Sequence, residues 1–356
     1  MRIAVLGNAD ALHTRRWAAV LAGRGHAVRV FSLERPPAPL DPVAAPVTVI
    51  PSLPLPRALA YPLARGGFER ALTAFAPDLV EAHYVPNYGF LGALIARRPL
   101  VVQCWGSDLL VSARRSRLHA ARARFALERA DLVMADAQVL GDAALALGAS
   151  SDRLMVVPWG ADLSRFALAP FVASPHVVSL RMLEPLYDVA TLVEALPAVR
   201  IAVPGLTATI AGDGPLRAAL EARVRTLGLA DCVTFTGRVP HERLAALLGE
   251  ASVYVSTSRS DSTSISLLEA MASGAAPVVA DIEGNREWLK ERAGGRFFPV
   301  GDPPALAAAL SETLQDEAFR RSARALNRAR VEADGDWAAN VARIEARYTA
   351  LAMAAA

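Results

Sequence analysis

The strongest constraint on the fold is a rhythm that runs twice through the chain: short apolar runs ending in Gly or a polar loop alternate with longer stretches of helical spacing. "RIAVLG" is a short continuous apolar run and reads as a buried strand, and "HTRRWAAVLAGRG" behind it carries helical periodicity to a Gly stop. "HAVRVFSL", "LVEAHYV", "PLVVQCW", "ADLVMAD" and "RLMVVPWG" continue as strands, with helices over "GFLGALIARR" and over an Arg-rich stretch at residues 112–130. Residues 36–56 hold too many prolines for a regular element and read as an irregular connection around one short strand near Val47. After "ADLSRFALAPFVASP" the rhythm restarts with "HVVSLR", "TLVEAL", "ATIAGDGP", "LRAALEARVRTLG", "CVTFTG", "ERLAALLGEA", "SVYVSTS", "LLEAMASG" and "APVVAD". Such alternation means parallel sheets covered on both faces. The expectation is an α/β chain of two tandem doubly wound, Rossmann-like domains, residues 1–166 and 167–336. A terminal helix over 337–356 is free to return to either.

In open α/β sheets ligands bind outside the carboxyl ends of the strands, so two such domains are expected to face a cleft and to present loop residues to it. In the first half these are Gly7, Asn8, His13, His83, Tyr84, Trp105 and Asp108. In the second they are Arg181, Gly212, Gly214, Gly237, Arg238 and the stretch "SDSTSISLLEAMASGAAPVV" over 260–279. His26 and the "DGD" at 334–336 read as turn and cap instead.

Charge sharpens the choice of chemistry. The first 166 residues carry 19 Arg and no Lys against 13 acids, whereas the remainder holds 19 basic and 22 acidic residues. The basic half suits an anionic acceptor or membrane surface. "SARRSRLHAARARFALERA" sets Arg114, Arg115, Arg117, Arg122 and Arg124 among Leu118, Phe125 and Leu127; this fits a solvated helix face, or a helix lying on lipid headgroups. Lys290 is the only lysine, so a phosphate-binding cation here has to be Arg. With 53% hydrophobic residues the chain can bury sizeable cores, yet no apolar stretch reaches the eighteen or so residues of a membrane span. "MRIAVLGNAD" turns polar too soon for a signal peptide, and a cytoplasmic protein, with at most peripheral contact to the inner face of the membrane, is expected. Cys104 and Cys232 lie far apart without ligand spacing, which argues for reduced core thiols and against a structural zinc.

Asp261 and Glu269 pose a sharper question. If a helix begins at Leu267, Glu269 sits in its first turn and Asp261 on the loop feeding it, so both acids face one helix N-terminus. Helix capping alone would account for that arrangement. Two facing carboxylates would also suit a glycoside hydrolase, although the "GDGP" loop would then have no purpose.

Taken in order, "VPWGADLSRF", "SLRMLEPLYDVATLVEAL", "IAGDGPLRAAL", "VTFTGRVPHERLAALL", "DSTSISLLEAMASGAAPVVADIEGNREWL" and "GGRFFPVGDPPALAAAL", with "RGHAVRVFS" and "WGSD" in the first half, resemble the retaining nucleotide-sugar glycosyltransferases of the GT-B fold, family 4. The resemblance implies transfer of a sugar from a nucleoside diphosphate, a UDP-sugar by family frequency, to an acceptor hydroxyl of a glycan or lipid-linked acceptor, as in polysaccharide, glycolipid or other glycoconjugate synthesis. No metal, no cofactor and no nucleic-acid partner are implied. The family's two acids fall on Asp261, toward the donor sugar, and Glu269, toward the ribose. Ser264, Ile265, Ser266 and Leu267 would offer helix N–H groups to the diphosphate, Gly212 and Gly214 a close backbone approach, Arg238 the base side, and Arg181 the cation. Gly7, Asn8, His13, His83, Trp105 and Asp108 fall on the acceptor or sugar side. The chain departs from the family in having Trp105-Gly106 for His-Gly, Asp for the first Glu, and Leu186 and Tyr187 where a second cation, Lys, is usual. These departures leave open an impaired, sugar-nucleotide-binding subunit.

Overall fold

A computed structural model describes residues 1–36, 45–52, 56–289 and 293–355. Most of the Pro-rich connection, and Lys290, therefore lie outside the described residues. The chain divides into two compact units, one of residues 1–157 with 342–356, the other of residues 158–341.

In the first unit β1 (Arg2–Leu6), β2 (Ala27–Ser32), β3 (Val47–Val49), β4 (Leu79–His83), β5 (Leu100–Gln103), β6 (Leu132–Ala135) and β7 (Leu154–Val156) form one sheet in the order β3-β2-β1-β4-β5-β6-β7. Every pairing is parallel. β1 and β4 to β6 are almost wholly buried, as strands with helices on both faces must be. In the second unit β8 (His176–Ser179), β9 (Thr207–Ala211), β10 (Val233–Gly237), β11 (Val253–Ser256), β12 (Ala276–Ala280) and β13 (Arg296–Phe298) run in the order β10-β9-β8-β11-β12-β13, again all parallel. Each sheet reverses its winding once, between β1 and β4 and between β8 and β11. Those switch points are where a doubly wound sheet opens a crevice at its carboxyl edge.

Three local expectations need correction. The Arg-rich helix runs only from Arg117 to Arg129; Ser116 leaves the helix with an extended backbone and caps it, its hydroxyl accepting the His119 N–H at 3.3 Å. A separate wide, π-type turn occupies Asp108–Ala113. Second, the helix expected from Leu267 starts at Ile265, which places Glu269 in its second turn. Third, the division between the units falls after Val157, ahead of residue 166, because Phe166 is buried in the second unit's core and Ala161 bridges to Asp336. The terminal helix spans Trp337–Ala355, and its residues from 342 onward belong to the first unit. There Glu345 accepts hydrogen bonds from Arg24 and lies 2.8 Å from His26 Nε2, and Tyr348 is fully buried.

Candidate functional site

At the first unit's switch point the chain reverses sharply after β4. Tyr84 follows His83 in the left-handed backbone region (φ 65°), a conformation that a bulky residue adopts only where its surroundings hold it, and its hydroxyl meets Ser112 Oγ at 2.8 Å. His83 is buried between two partners. Its Nε2 faces Glu81 Oε1 at 3.1 Å and its Nδ1 faces Thr14 Oγ1 at 3.3 Å. An acceptor carboxylate on Nε2 and a hydroxyl able to donate to Nδ1 select the tautomer with the proton on Nε2. Gly7 is required at the end of β1, since a Cβ there would come 2.9 Å from Thr14 Cγ2 and 3.3 Å from the His83 ring. Trp105 completes the cluster, tilted against His83 at 5.0 Å and against the exposed His13 at 5.2 Å. Asn8 turns inward on its own loop, accepting the Asp10 N–H at 2.8 Å.

Asp108 does not belong on the sugar side. It is fully buried, and its carboxylate accepts the backbone N–H groups of Val85, Trp105 and Leu109 at 2.9–3.1 Å. Burial pushes its pKa up to about 6 against those stabilising donors. It braces the loops after β4 and β5.

In the second unit, Arg181, two residues past β8, meets the loop after β11. Its Nη1 donates to Ser264 Oγ at 2.7 Å and Ser266 Oγ at 3.1 Å, its Nη2 donates to Asp261, and its guanidinium lies over the Tyr187 ring at 4.6 Å. The side chain is 9% exposed and its Nε has no hydrogen-bond partner among the described residues. Burial works against this charge; the Asp261 carboxylate outweighs burial and holds it firmly protonated. Arg181 also donates to the hydroxyl of Ser264, the residue ahead of the helix Ile265–Ser273, and that helix starts without a side-chain cap. Its first-turn N–H groups thus stand beside a buried guanidinium, an arrangement suited to an anion.

Glycines press this loop into place. A Cβ on Gly212 would lie 2.1 Å from the Arg181 carbonyl oxygen, and one on Gly214 2.5 Å from that of Leu183. The "GDGP" glycines therefore let the turn after β9 lie flat on the backbone that carries Arg181, a packing role that sequence reading did not assign. A Cβ on Gly284 would likewise lie 2.0 Å from the Ser262 carbonyl oxygen, so that glycine lets its turn pack on the loop that carries Asp261. Sequence reading had the stretch "DIEGNREWL" in hand without assigning this glycine.

Glu269, almost wholly buried, has its Oε1 3.1 Å from Nε2 of His241, a residue that sequence reading missed. Arg238 is exposed just past β10 with no protein partner among the described residues. Each acid of the Asp261 and Glu269 pair thus has its own basic partner, an arrangement unlike two free carboxylates facing a groove. Of the acids of "DGD", Asp336 serves the backbone, its Oδ1 accepting the Ala338 N–H at 2.9 Å, and Asp334 pairs with Arg330 at 2.8 Å. Cys104 is buried, Cys232 half-buried, and both are free thiols.

The comparisons agree with this architecture. Residues 11–160 match the model of the glycosyl transferase 4-like domain and residues 162–330 that of glycosyl transferases group 1. The chain belongs to the glycosyltransferases of the GT-B fold, family 4. It is 33% identical over 171 residues to a phosphatidyl-myo-inositol mannosyltransferase of Mycolicibacterium smegmatis, a match covering 46% of this chain and 44% of that protein. It is 29% identical over 276 residues to a glycogen synthase of Mycobacterium tuberculosis, covering 74% of this chain and 66% of that one. The chain thus spans less than two thirds of the length of these relatives. Among solved structures, sucrose-phosphate synthase from Thermosynechococcus elongatus superposes with a TM-score of 0.85 at 21% identity over the whole of both chains. Anabaena Alr3699/HepE in complex with UDP and glucose superposes with a TM-score of 0.81 at 22% identity over 99% of this chain and all of that one.

Proposed function

We propose that the protein is a retaining, metal-independent glycosyltransferase that moves a hexose from a UDP-sugar onto a hydroxyl of a glycan or lipid-linked acceptor. The observation that carries this reading is Arg181, a buried guanidinium with an unpartnered Nε beside an uncapped helix N-terminus. Two phosphates need positive charge as the bond to the sugar breaks, and a guanidinium with aligned N–H dipoles supplies it without a metal. In this reading Glu269 holds the ribose, Asp261 the donor sugar, and the leaving phosphate accepts the proton of the attacking hydroxyl. No enzyme base is then required. The residues around Trp105 form the acceptor side. A UDP donor is supported by the neighbour crystallised with UDP-glucose, and a lipid-linked acceptor by the phosphatidyl-myo-inositol mannosyltransferase relative.

The test is nucleotide release from UDP-, GDP- and ADP-hexoses in the presence of EDTA, with the anomeric configuration of the product followed by NMR. Release that stops with EDTA, or product of inverted configuration, refutes the proposal. A second reading, a sugar-nucleotide-binding subunit without turnover, is favoured by one observation: Asp261 already occupies Arg181, and Tyr187 packs on it where the family has Lys. Tight donor binding with no release on any tested acceptor would select it.

A further inference from the structure

We infer that His241 is a positioning residue for nucleotide recognition: it orients the Glu269 carboxylate and so sets discrimination for the ribose. The inference rests on the ribose role proposed for Glu269. His241 opens the helix His241–Gly249, directly after Pro240, with its ring edge-on to the fully buried Phe166 at 5.5 Å. Arg165 Nη1 lies 2.8 Å from His241 Nδ1. Guanidinium nitrogens only donate, so Nδ1 accepts and the ring proton must sit on Nε2. Nε2 in turn faces Glu269 Oε1 at 3.1 Å and donates to it. Arg165 is itself held by Glu242 at 3.5 Å and Asp162 at 3.9 Å. A surface arginine thus selects the histidine tautomer, and the histidine takes one carboxylate oxygen. Among the described residues Oε2 of Glu269 has no protein partner. A carboxylate gripped at one oxygen presents the other in a fixed direction. Aimed at a vicinal diol, that oxygen distinguishes ribose from a sugar lacking hydroxyls, because a missing hydroxyl leaves a nearly buried carboxylate oxygen unsatisfied.

The experiment measures, by calorimetry, affinity for whichever of UDP, GDP and ADP binds best and for its 2′,3′-dideoxy form. The native protein, His241→Leu, His241→Gln, Arg165→Ala and Glu269→Gln are compared. In His241→Leu the preference for the ribonucleotide should fall about tenfold, while the dideoxy form keeps its affinity within about twofold. His241→Gln, which can place an amide N–H toward Glu269, should recover most of the preference. Arg165→Ala, altering a side chain 36% exposed, should lower it less, and it supplies a folded variant should His241→Leu fail to fold. Equal losses for both nucleotides, or an unchanged preference in both His241→Leu and Arg165→Ala, overturn the inference. If Glu269→Gln leaves the preference intact, or none of the three diphosphates binds, the proposed ribose role falls instead, and the inference with it.

Discussion

Replacing Asp261 by Asn separates a structural ion pair from a resident counter-ion of the donor site. Asp261 is 21% exposed at its side chain and Arg181 9%, and their contact belongs to a network that also includes Ser264 and Ser266. A hydrogen bond to a charged group is worth roughly 1.5–3 kcal/mol, and removing one partner of a fully buried pair costs about 3–5 kcal/mol. Asn keeps an acceptor and the site is partly open to water, so the loss in Asp261→Asn should be about 2 kcal/mol. For a unit of this size that corresponds to a melting temperature lower by about 4–8 °C. Free UDP should show the opposite sign. In the native protein its diphosphate must displace a carboxylate from Arg181, whereas in the variant it meets an uncompensated buried cation, and it should bind about tenfold tighter. Melting with and without saturating UDP reads both effects, since a ligand that binds only the folded state raises its stability by mass action. On the donor-sugar role proposed for Asp261, sugar transfer should nevertheless fall, because the sugar loses that carboxylate. A variant that melts with the native protein and binds UDP no more tightly would refute the counter-ion argument and leave the pair as scaffolding.

Arg181→Ala should lower turnover by about 10² to 10³, more than it weakens donor binding, and Arg181→Lys should recover only part, since an ammonium lacks the planar fork; equal changes in kcat and donor affinity would contradict this. Gly212→Ala should destabilise the second unit by about 1–3 kcal/mol in urea unfolding and disturb donor binding, because its Cβ would meet the Arg181 carbonyl at 2.1 Å; native-like stability would refute the packing role. Asp108 retains its proton up to about pH 6, above its ordinary 3.8, so its contribution is fully present below about 4 and is lost as pH rises through 6. The stability of the native protein relative to Asp108→Asn should therefore fall by up to about 3 kcal/mol between pH 4 and 6, and a flat difference would show that the group titrates normally. Arg114, Arg115, Arg117 and Arg124 are exposed whereas Arg122 and Leu127 face the core, so replacing those four by Gln should reduce cosedimentation with anionic vesicles at low salt; no binding by the native protein would end the membrane-surface idea.

The alternation of strands and helices, both parallel sheets and the second cycle after residue 165 were legible in the linear chain, because the period of apolar residues is imposed locally by backbone geometry and by burial on both faces of each sheet. The position of Arg181 just past a strand was also legible, through the place of "SLRMLEP" after an apolar run. What the tertiary structure alone decided is who faces whom. Arg181 reaches Ser264 across 83 residues and Asp261 across 80; His241 reaches Glu269 across 28. Periodicity carries no information about such pairs. Asp108 looked like a cleft acid because it follows a strand, yet the loops after β4 and β5 close over it and turn its carboxylate onto backbone N–H groups. The glycines at 212 and 214 mark places where two backbones touch, a requirement set by the packing of one loop on another and not readable from the linear chain. A residue's tendency to form a strand or helix is set by its neighbours along the chain, whereas its chemistry is set by burial, charge and hydrogen-bond partners that the fold brings together from far apart.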